Sequence, residues 1–153
     1  MTFDERLAAI RAGMTEHKLD VLVAIHDGSH FIETPNPVFV LSRFKSLGPA
    51  AIVLRHDGET CLIVTPPWDA DRAQECCPNL RIIGADDVVD GLAIALGKEG
   101  ASGALGLAGV PFTRWEIASR VTAALPQAST ADDIVFDAAV AKTDDEIANA
   151  REA

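Results

Sequence analysis

Two histidines and a carboxylate lie close together at His26, Asp27 and His30, and side chains of these kinds bind metal ions. A zinc site usually needs three or four protein ligands held by further hydrogen bonds, and no neighbouring motif supplies the missing ligand. We therefore predict no metal site here and place His26 at the end of a strand. Because residues after strand ends often bind ligands in α/β proteins, His26, His30 and Glu33 are candidate substrate contacts instead.

The cysteines are Cys61, inside an apolar run, and the adjacent pair Cys76 and Cys77. Adjacent cysteines rarely form a disulfide with each other, and no Cys-x-x-Cys spacing indicates zinc or redox chemistry. We expect buried thiols in a reducing compartment. The sequence leaves open whether Cys76 or Cys77 is exposed and reactive.

The charge of the chain excludes some partners. A formal net charge of -10 and a pI near 4.7 predict no nucleic acid and no anionic membrane as partner, because phosphate groups would be repelled. The apolar runs are too short to span a bilayer, and the first residues lack an apolar signal core, so a cytoplasmic location is expected. The acidic pairs lack a histidine partner, and the glycines of 103–109 lack a nucleotide-binding spacing, so no catalytic residue is predicted.

Helical and strand-like apolar patterns alternate along the chain. Helices are predicted over 4–18 and 69–76, from Asp86 to a stop at Gly97 and Gly100, and around Trp115. Strands are predicted over 21–25, 38–41, 50–54, 60–64, 80–83 and 104–107, with an Asp-Gly turn joining 50–54 to 60–64 as a hairpin. This alternation predicts an α/β fold, a three-layer α/β/α sandwich with a mixed sheet of about six strands.

Two helix starts carry a capping-box pattern, Thr113 with Glu116 and Thr143 with Glu146. Trp115 is expected in the core, and Trp68 is a candidate exposed aromatic at an interface. The helix that begins after Thr143 runs into the final residue without a stop signal. We therefore expect that helix to be interrupted rather than complete.

The order of elements resembles the amino-terminal domain of the creatinase, prolidase and Xaa-Pro aminopeptidase family, the pita-bread metallohydrolases. In the opening of that domain a helix leads into a strand, which is similar to Arg6-Leu7-x-x-Ile10-Arg11-x-x-Met14 followed by Leu19-Asp20-Val21-Leu22-Val23. Residues 36–42 lie where the family carries an Asn-Ile-Arg-Tyr-Leu-Thr-Gly-like stretch. Residues 140–153 resemble the family's junction, where Lys-(Ser/Thr)-x-x-Glu-(Ile/Leu) begins the first helix of the catalytic domain.

The resemblance implies that 1–141 form an N-terminal domain with a ribonuclease H-like motif, and that 142–153 begin an absent C-terminal catalytic domain. Two divalent metal ions (Mn, Co or Zn) are expected in that absent domain and none in this chain, which is expected to be inactive alone. The implied partners are the catalytic domain of the same protein and a second copy in a homodimer. The implied substrate of the full enzyme is a peptide or a small carbon–nitrogen compound.

In creatinase-like members an arginine and an aromatic residue of the neighbouring N-terminal domain help to hold a carboxylate-bearing substrate. Arg43 and Phe44 are the nearest analogues, since a guanidinium binds a carboxylate through two hydrogen bonds and an aromatic face packs beside it. The alternative is a solvated loop arginine beside a core phenylalanine.

Two functional classes remain open, and a third has less support. The first is an oligomerisation and substrate-access domain of a dinuclear-metal hydrolase. The second is a free-standing binding or assembly module of the same fold. The third, an independent small-molecule enzyme, would need a convergent titratable cluster that the sequence does not show.

Overall fold

The computed structural model describes residues 1–29, 36–97 and 103–153, and a single mixed sheet of six strands organises them. The strands are β1 (Val21–His26), β2 (Ala50–Arg55), β3 (Thr60–Val64), β4 (Arg81–Gly84), β5 (Leu105–Ala108) and β6 (Ser129–Thr130). The helices are α1 (Phe3–Glu16), α2 (Pro37–Ser42), α3 (Ala70–Cys76), α4 (Val88–Leu96), α5 (Trp115–Ala124), α6 (Asp132–Val140) and α7 (Asp144–Glu152). Short 3₁₀ turns cover Pro67–Asp69 and Val110–Phe112.

The strand order is β4-β3-β2-β1-β5-β6, and only β2 runs against the others. All six residues of β1 are buried, as its unbroken apolar run predicts for a strand covered on both faces. Val23 pairs with Val53 of β2 on one side and with Leu107 of β5 on the other. The β2–β3 hairpin and the strand–helix alternation are confirmed.

Each face of the sheet carries its own hydrophobic core. One face packs Leu22, Ile52 and Leu62 against side chains of α1, α2, α3 and α6. The other face packs Val23, Val53 and Ile63 against side chains of α4 and α5. Strand side chains alternate between faces, so this division follows from the strand period of two. The three-layer α/β/α prediction is confirmed.

One predicted strand is wrong. Residues 38–41, predicted as β from their branched apolar side chains, lie in helix α2. The Oδ1 atom of Asn36 accepts a hydrogen bond from the amide of Phe39, and Pro37 occupies the first turn, where its missing N–H costs nothing. The sixth strand is instead β6, which no strong apolar pattern marks.

Some predictions about helix starts and aromatic burial are confirmed, and others are wrong. The capping box of Thr143 with Glu146 is confirmed, and Trp68 is exposed as expected. The box of Thr113 with Glu116 does not form: the cap position of α5 is Arg114 and has no side-chain cap, and the Thr113 hydroxyl donates to the carbonyl of Gly109. Trp115, expected in the core, is 82% exposed. Helix α4 is capped by Asp87 rather than Asp86, and α6 was not predicted.

In the described part of the chain, no helix has the length and apolar content needed to cross a membrane.

Candidate functional site

The loops that carry most candidate residues meet at one edge of the sheet, which we call the carboxyl edge. Strands β1, β3, β4 and β5 all end there, and β2 begins there. Its described loops include 27–29 after β1, 43–49 before β2, 65–69 after β3, 85–87 after β4 and 109–114 after β5. Carboxyl ends of parallel strands are common binding edges in α/β folds.

His26 and Asp27 are both buried at this edge. The Nδ1 atom of His26 accepts a hydrogen bond of 3.1 Å from the amide of Gly28. His30 and Glu33 lie outside the described residues, so their predicted substrate contacts stay predictions. The same holds for a contact through His26.

Asp27 ties the end of β1 to the start of α5. Its carboxylate accepts hydrogen bonds of 2.8 Å from the amides of Ser29 and Arg114, and the Arg114 guanidinium lies 3.5 Å away. Burial alone would raise the pKa of Asp27, but the hydrogen bonds from Ser29 and Arg114 outweigh it and hold that pKa below its usual value. Asp27 thus fixes the backbone at Arg114, directly before α5.

Asp69 likewise holds the loop before β2 by accepting hydrogen bonds. Its buried carboxylate accepts hydrogen bonds from the Leu47 amide at 3.0 Å, the Ser46 hydroxyl at 3.3 Å and two Arg72 nitrogens at 2.8 and 3.0 Å. Burial raises the pKa of Asp69, yet the bonds from Arg72, Leu47 and Ser46 bring it below its usual value. From the sequence, Asp69 is expected only at the start of a helix.

The structure separates the two predicted substrate contacts Arg43 and Phe44. Phe44 lies in the core, and the Arg72 guanidinium stacks 4.3 Å from its ring centre. This matches the alternative of a core phenylalanine, and it leaves little Phe44 surface for a ligand. Arg43 is half exposed and donates a 2.6 Å hydrogen bond to Asp145 of α7. A contact between Arg43 and substrate stays a prediction.

Exposed apolar side chains project from the loops of the carboxyl edge. Trp115 is 82% exposed, Trp68 68% and Leu47 57%. Hydrogen bonds and close contacts link the segments that carry them. The Leu47 amide binds Asp69 beside Trp68, and a Cβ atom at Gly28 would lie 2.9 Å from the Gly48 carbonyl. Asp27, next to Gly28, accepts from the amide of Arg114, the residue before Trp115. We call Leu47, Trp68 and Trp115 the apolar rim. Of these three residues, only Trp68 is expected from the sequence to be exposed.

Chemically reactive side chains are not grouped in the described residues. Among these residues, no three His, Cys, Asp or Glu side chains lie close enough to hold a metal ion. The described residues therefore do not fit a metal pair. Burial raises the pKa of the Cys61 thiol to about 11 and also raises the pKa of Cys77, so both remain protonated near neutral pH. Cys76 is the exposed cysteine.

No protein-family model and no curated protein matches the sequence. Solved structures match it in fold. The Xaa-Pro dipeptidase from Bacillus anthracis has a TM-score of 0.71 and 15% identity, over 96% of this chain and 38% of that one. The prolidase from Pyrococcus horikoshii OT3 has a TM-score of 0.67 and 17% identity, over 94% of this chain and 37% of that one. The present chain thus spans well under half the length of these two enzymes.

A third structure is matched over nearly its whole length. It is the N-terminal domain of cytoplasmic peptidase PepQ from Mycobacterium tuberculosis H37Rv, with a TM-score of 0.66 and 19% identity, over 88% of this chain and 98% of that one. The resemblance inferred from the sequence is therefore confirmed at the level of fold. The chain has the fold found in the N-terminal domains of prolidases and Xaa-Pro peptidases.

Proposed function

We propose that this chain is the non-catalytic N-terminal domain of a dinuclear-metal hydrolase resembling Xaa-Pro peptidases or creatinase, and that it mediates oligomerisation and shapes substrate access. The fold match over 38% of one such enzyme and 98% of one such N-terminal domain supports the assignment. In this proposal residues 142–153 begin the catalytic domain, which would supply all ligands of the metal pair. The substrate of the full enzyme would be a peptide or a small carbon–nitrogen compound.

The apolar rim is the observation that carries the oligomerisation part. An exposed tryptophan offers a large apolar surface, and tryptophans are enriched among residues that dominate binding energy at protein interfaces. Two of them and a leucine lie on connected loops of one edge, held in place by the buried carboxylates Asp27 and Asp69. Such a surface fits an interface with a second copy, close to the strand ends where Arg43 and His26 were expected to contact substrate.

Sedimentation equilibrium of the chain tests the oligomerisation. We expect dimers in the wild type, and a rise in the dimer dissociation constant of roughly a hundredfold in Trp68→Ala/Trp115→Ala, since truncated hot-spot residues each cost more than tenfold. Ile94→Ala is the matched control, because Ile94 is equally apolar and 59% exposed but lies on α4. A monomeric wild type, or an equal effect of Ile94→Ala, would contradict an interface at the rim.

A hydrolase assay tests the non-catalytic assignment. The chain is mixed with Mn²⁺, Co²⁺ or Zn²⁺ and with Xaa-Pro dipeptides or creatine, and no hydrolysis above the metal alone is expected. Metal-dependent turnover by the purified chain would overturn the assignment. A cytoplasmic location is also part of this proposal, and the free cysteines agree with a reducing compartment.

A further inference from the structure

An arginine is buried between the first and last helices of the chain. Arg6 of α1 is 1% exposed, and its guanidinium faces the start of α7. Nη1 donates to Oε1 of Glu146 at 2.8 Å and Nη2 donates to Oε2 at 2.7 Å, which is the two-bond geometry of a strong arginine–carboxylate pair. Nη2 also donates to the carbonyl of Ala141 at 2.8 Å, so Arg6 holds the segment before α7 as well.

Glu146 serves the cap of α7 at the same time. Its Oε2 atom accepts a 2.8 Å hydrogen bond from the amide of Thr143, whose hydroxyl accepts in turn from the Glu146 amide. The hydrogen bonds from Arg6 lower the pKa of Glu146 to about 2 despite partial burial. Glu146 is therefore ionised at neutral pH and links the cap to the buried guanidinium.

The rest of α7 gains little from packing. None of its nine residues, all of them described, is buried. A helix of this length is marginal in water by itself, so its contacts with the domain decide whether it forms. The other two ion pairs, Arg43 with Asp145 and the Met1 ammonium with Asp144, are exposed and worth little.

The pair, in which Arg6 is buried and the Glu146 side chain is 30% exposed, is a poor device for stability alone. Nε of Arg6 is buried without a hydrogen-bond partner among the described residues, which costs free energy. Replacing a buried ion pair by apolar side chains of similar volume is often neutral or stabilising. What the fork of two parallel hydrogen bonds provides, and an apolar contact does not, is one defined orientation.

We infer that Arg6 and Glu146 are positioning residues: the ion pair between the buried Arg6 guanidinium and the Glu146 carboxylate makes α7 helical and fixes the direction in which α7 leaves the domain. This goes beyond the proposed function and does not depend on it, because the pair would act in the same way in a free-standing module.

Hydrogen exchange and residual dipolar couplings of the 153-residue chain test the inference. Arg6→Met removes the pair, Glu146→Gln neutralises it, and both leave a side chain at 146 that can complete the capping box. The rate of amide exchange in 147–152 is expected to rise by roughly a hundredfold in Arg6→Met and by about tenfold in Glu146→Gln. The reason is that removing one partner of a pair with a buried charge costs far more free energy than removing one partner of an exposed pair. Exchange in β1 and β2 is expected to stay unchanged. In the wild type, the dipolar couplings of α7 are expected to fit one orientation of the helix relative to the sheet. In both variants they are expected to decrease in magnitude, because α7 then samples several orientations.

Asp145→Asn is the matched control, since it removes the neighbouring exposed pair, and it is expected to change α7 exchange less than about threefold. If Arg6→Met does not fold, Glu146→Gln still decides, because Glu146 lies on the exposed helix. Unchanged α7 couplings in Glu146→Gln would overturn the inference. So would equal acceleration of α7 and of the sheet, because that is the result of a merely structural contact.

Discussion

The two edges of the sheet are built in different ways. At the amino edge, residues 17–20 lead into β1 and 56–59 connect β2 to β3, and each of these connections has four residues. At the carboxyl edge most of the loops are longer, and the buried carboxylates of Asp27 and Asp69 hold them from a distance in sequence. The amino edge also has a carboxylate with a tertiary contact, since Asp20 accepts a 2.8 Å hydrogen bond from the Ala104 amide, but Asp20 is exposed. The two edges therefore differ in burial: the acceptor carboxylates of the carboxyl edge, Asp27 and Asp69, are buried.

Removal of a carboxylate is expected to give the largest difference in the free energy of unfolding between variants at the two edges. Asp69→Ala leaves the Leu47 amide and the Arg72 guanidinium without their acceptor, and the free energy of unfolding should fall by about 3 kcal/mol. Asp57→Ala at the amino edge removes a carboxylate that is 91% exposed, and its effect should stay within about 0.5 kcal/mol. Urea unfolding of both variants measures the difference. Equal losses would show that the edges do not differ in this way.

Substitution of one glycine at each edge is expected to give the next largest difference in stability. Gly109 has φ +95°, and a Cβ atom there would overlap the carbonyl oxygen of Ile25, so Gly109→Ala should cost about 2 kcal/mol. Gly58 in the hairpin turn lacks a positive φ, and a Cβ atom there would lie 3.3 Å from Cβ of Arg55, so Gly58→Ala should cost less than about 1 kcal/mol. Thermal unfolding ranks the two. A larger loss from Gly58→Ala would contradict the comparison.

Low pH is expected to reduce the stability that Asp27 gives to the carboxyl edge, and this is the smallest of the three expected effects. Because the pKa of Asp27 is lower in the folded state than in the unfolded chain, its contribution is complete above about pH 4 and is lost as pH falls through the folded value. The difference in unfolding free energy between wild type and Asp27→Asn should therefore be largest near pH 6 and shrink below about pH 4. Gly58→Ala, which changes no titratable group, serves as the control with a constant difference. A pH-independent difference for Asp27→Asn would refute the role of its charge.

Local patterns were sufficient wherever neighbours in sequence decide the structure. The apolar run of β1, the hairpin of β2 and β3, and the Thr143–Glu146 cap were all predicted. Helix α2 was misjudged because its Val-Phe-Val-Leu run has β propensity, although Asn36-Pro37 is a recognisable helix start. Tertiary burial of α2 overrides that propensity.

The candidate site could be predicted only in part, because its polar contacts join distant residues. His26 and Asp27 were placed correctly at the end of β1. The hydrogen bond that Asp27 accepts from the Arg114 amide could not be foreseen, since the two residues come together only when β5 pairs with β1. Asp69 was missed for the same reason, as its acceptor role requires the loop before β2. Trp115 was expected in the core because it shares a helical apolar face with Ala118 and Val121, but it is the first residue of α5 and is exposed.

The position of β1 also governs how the chain can assemble. One side of β1 pairs with β2, the next strand along the chain, and the other side pairs with β5, so that Val21 meets Leu105. During synthesis β1, β2 and β3 can pair early, while the second side of β1 keeps its backbone groups open until β5 has emerged. The central strand of the finished domain is thus an edge strand for much of its synthesis, and the closing of the sheet waits for residues 105–108.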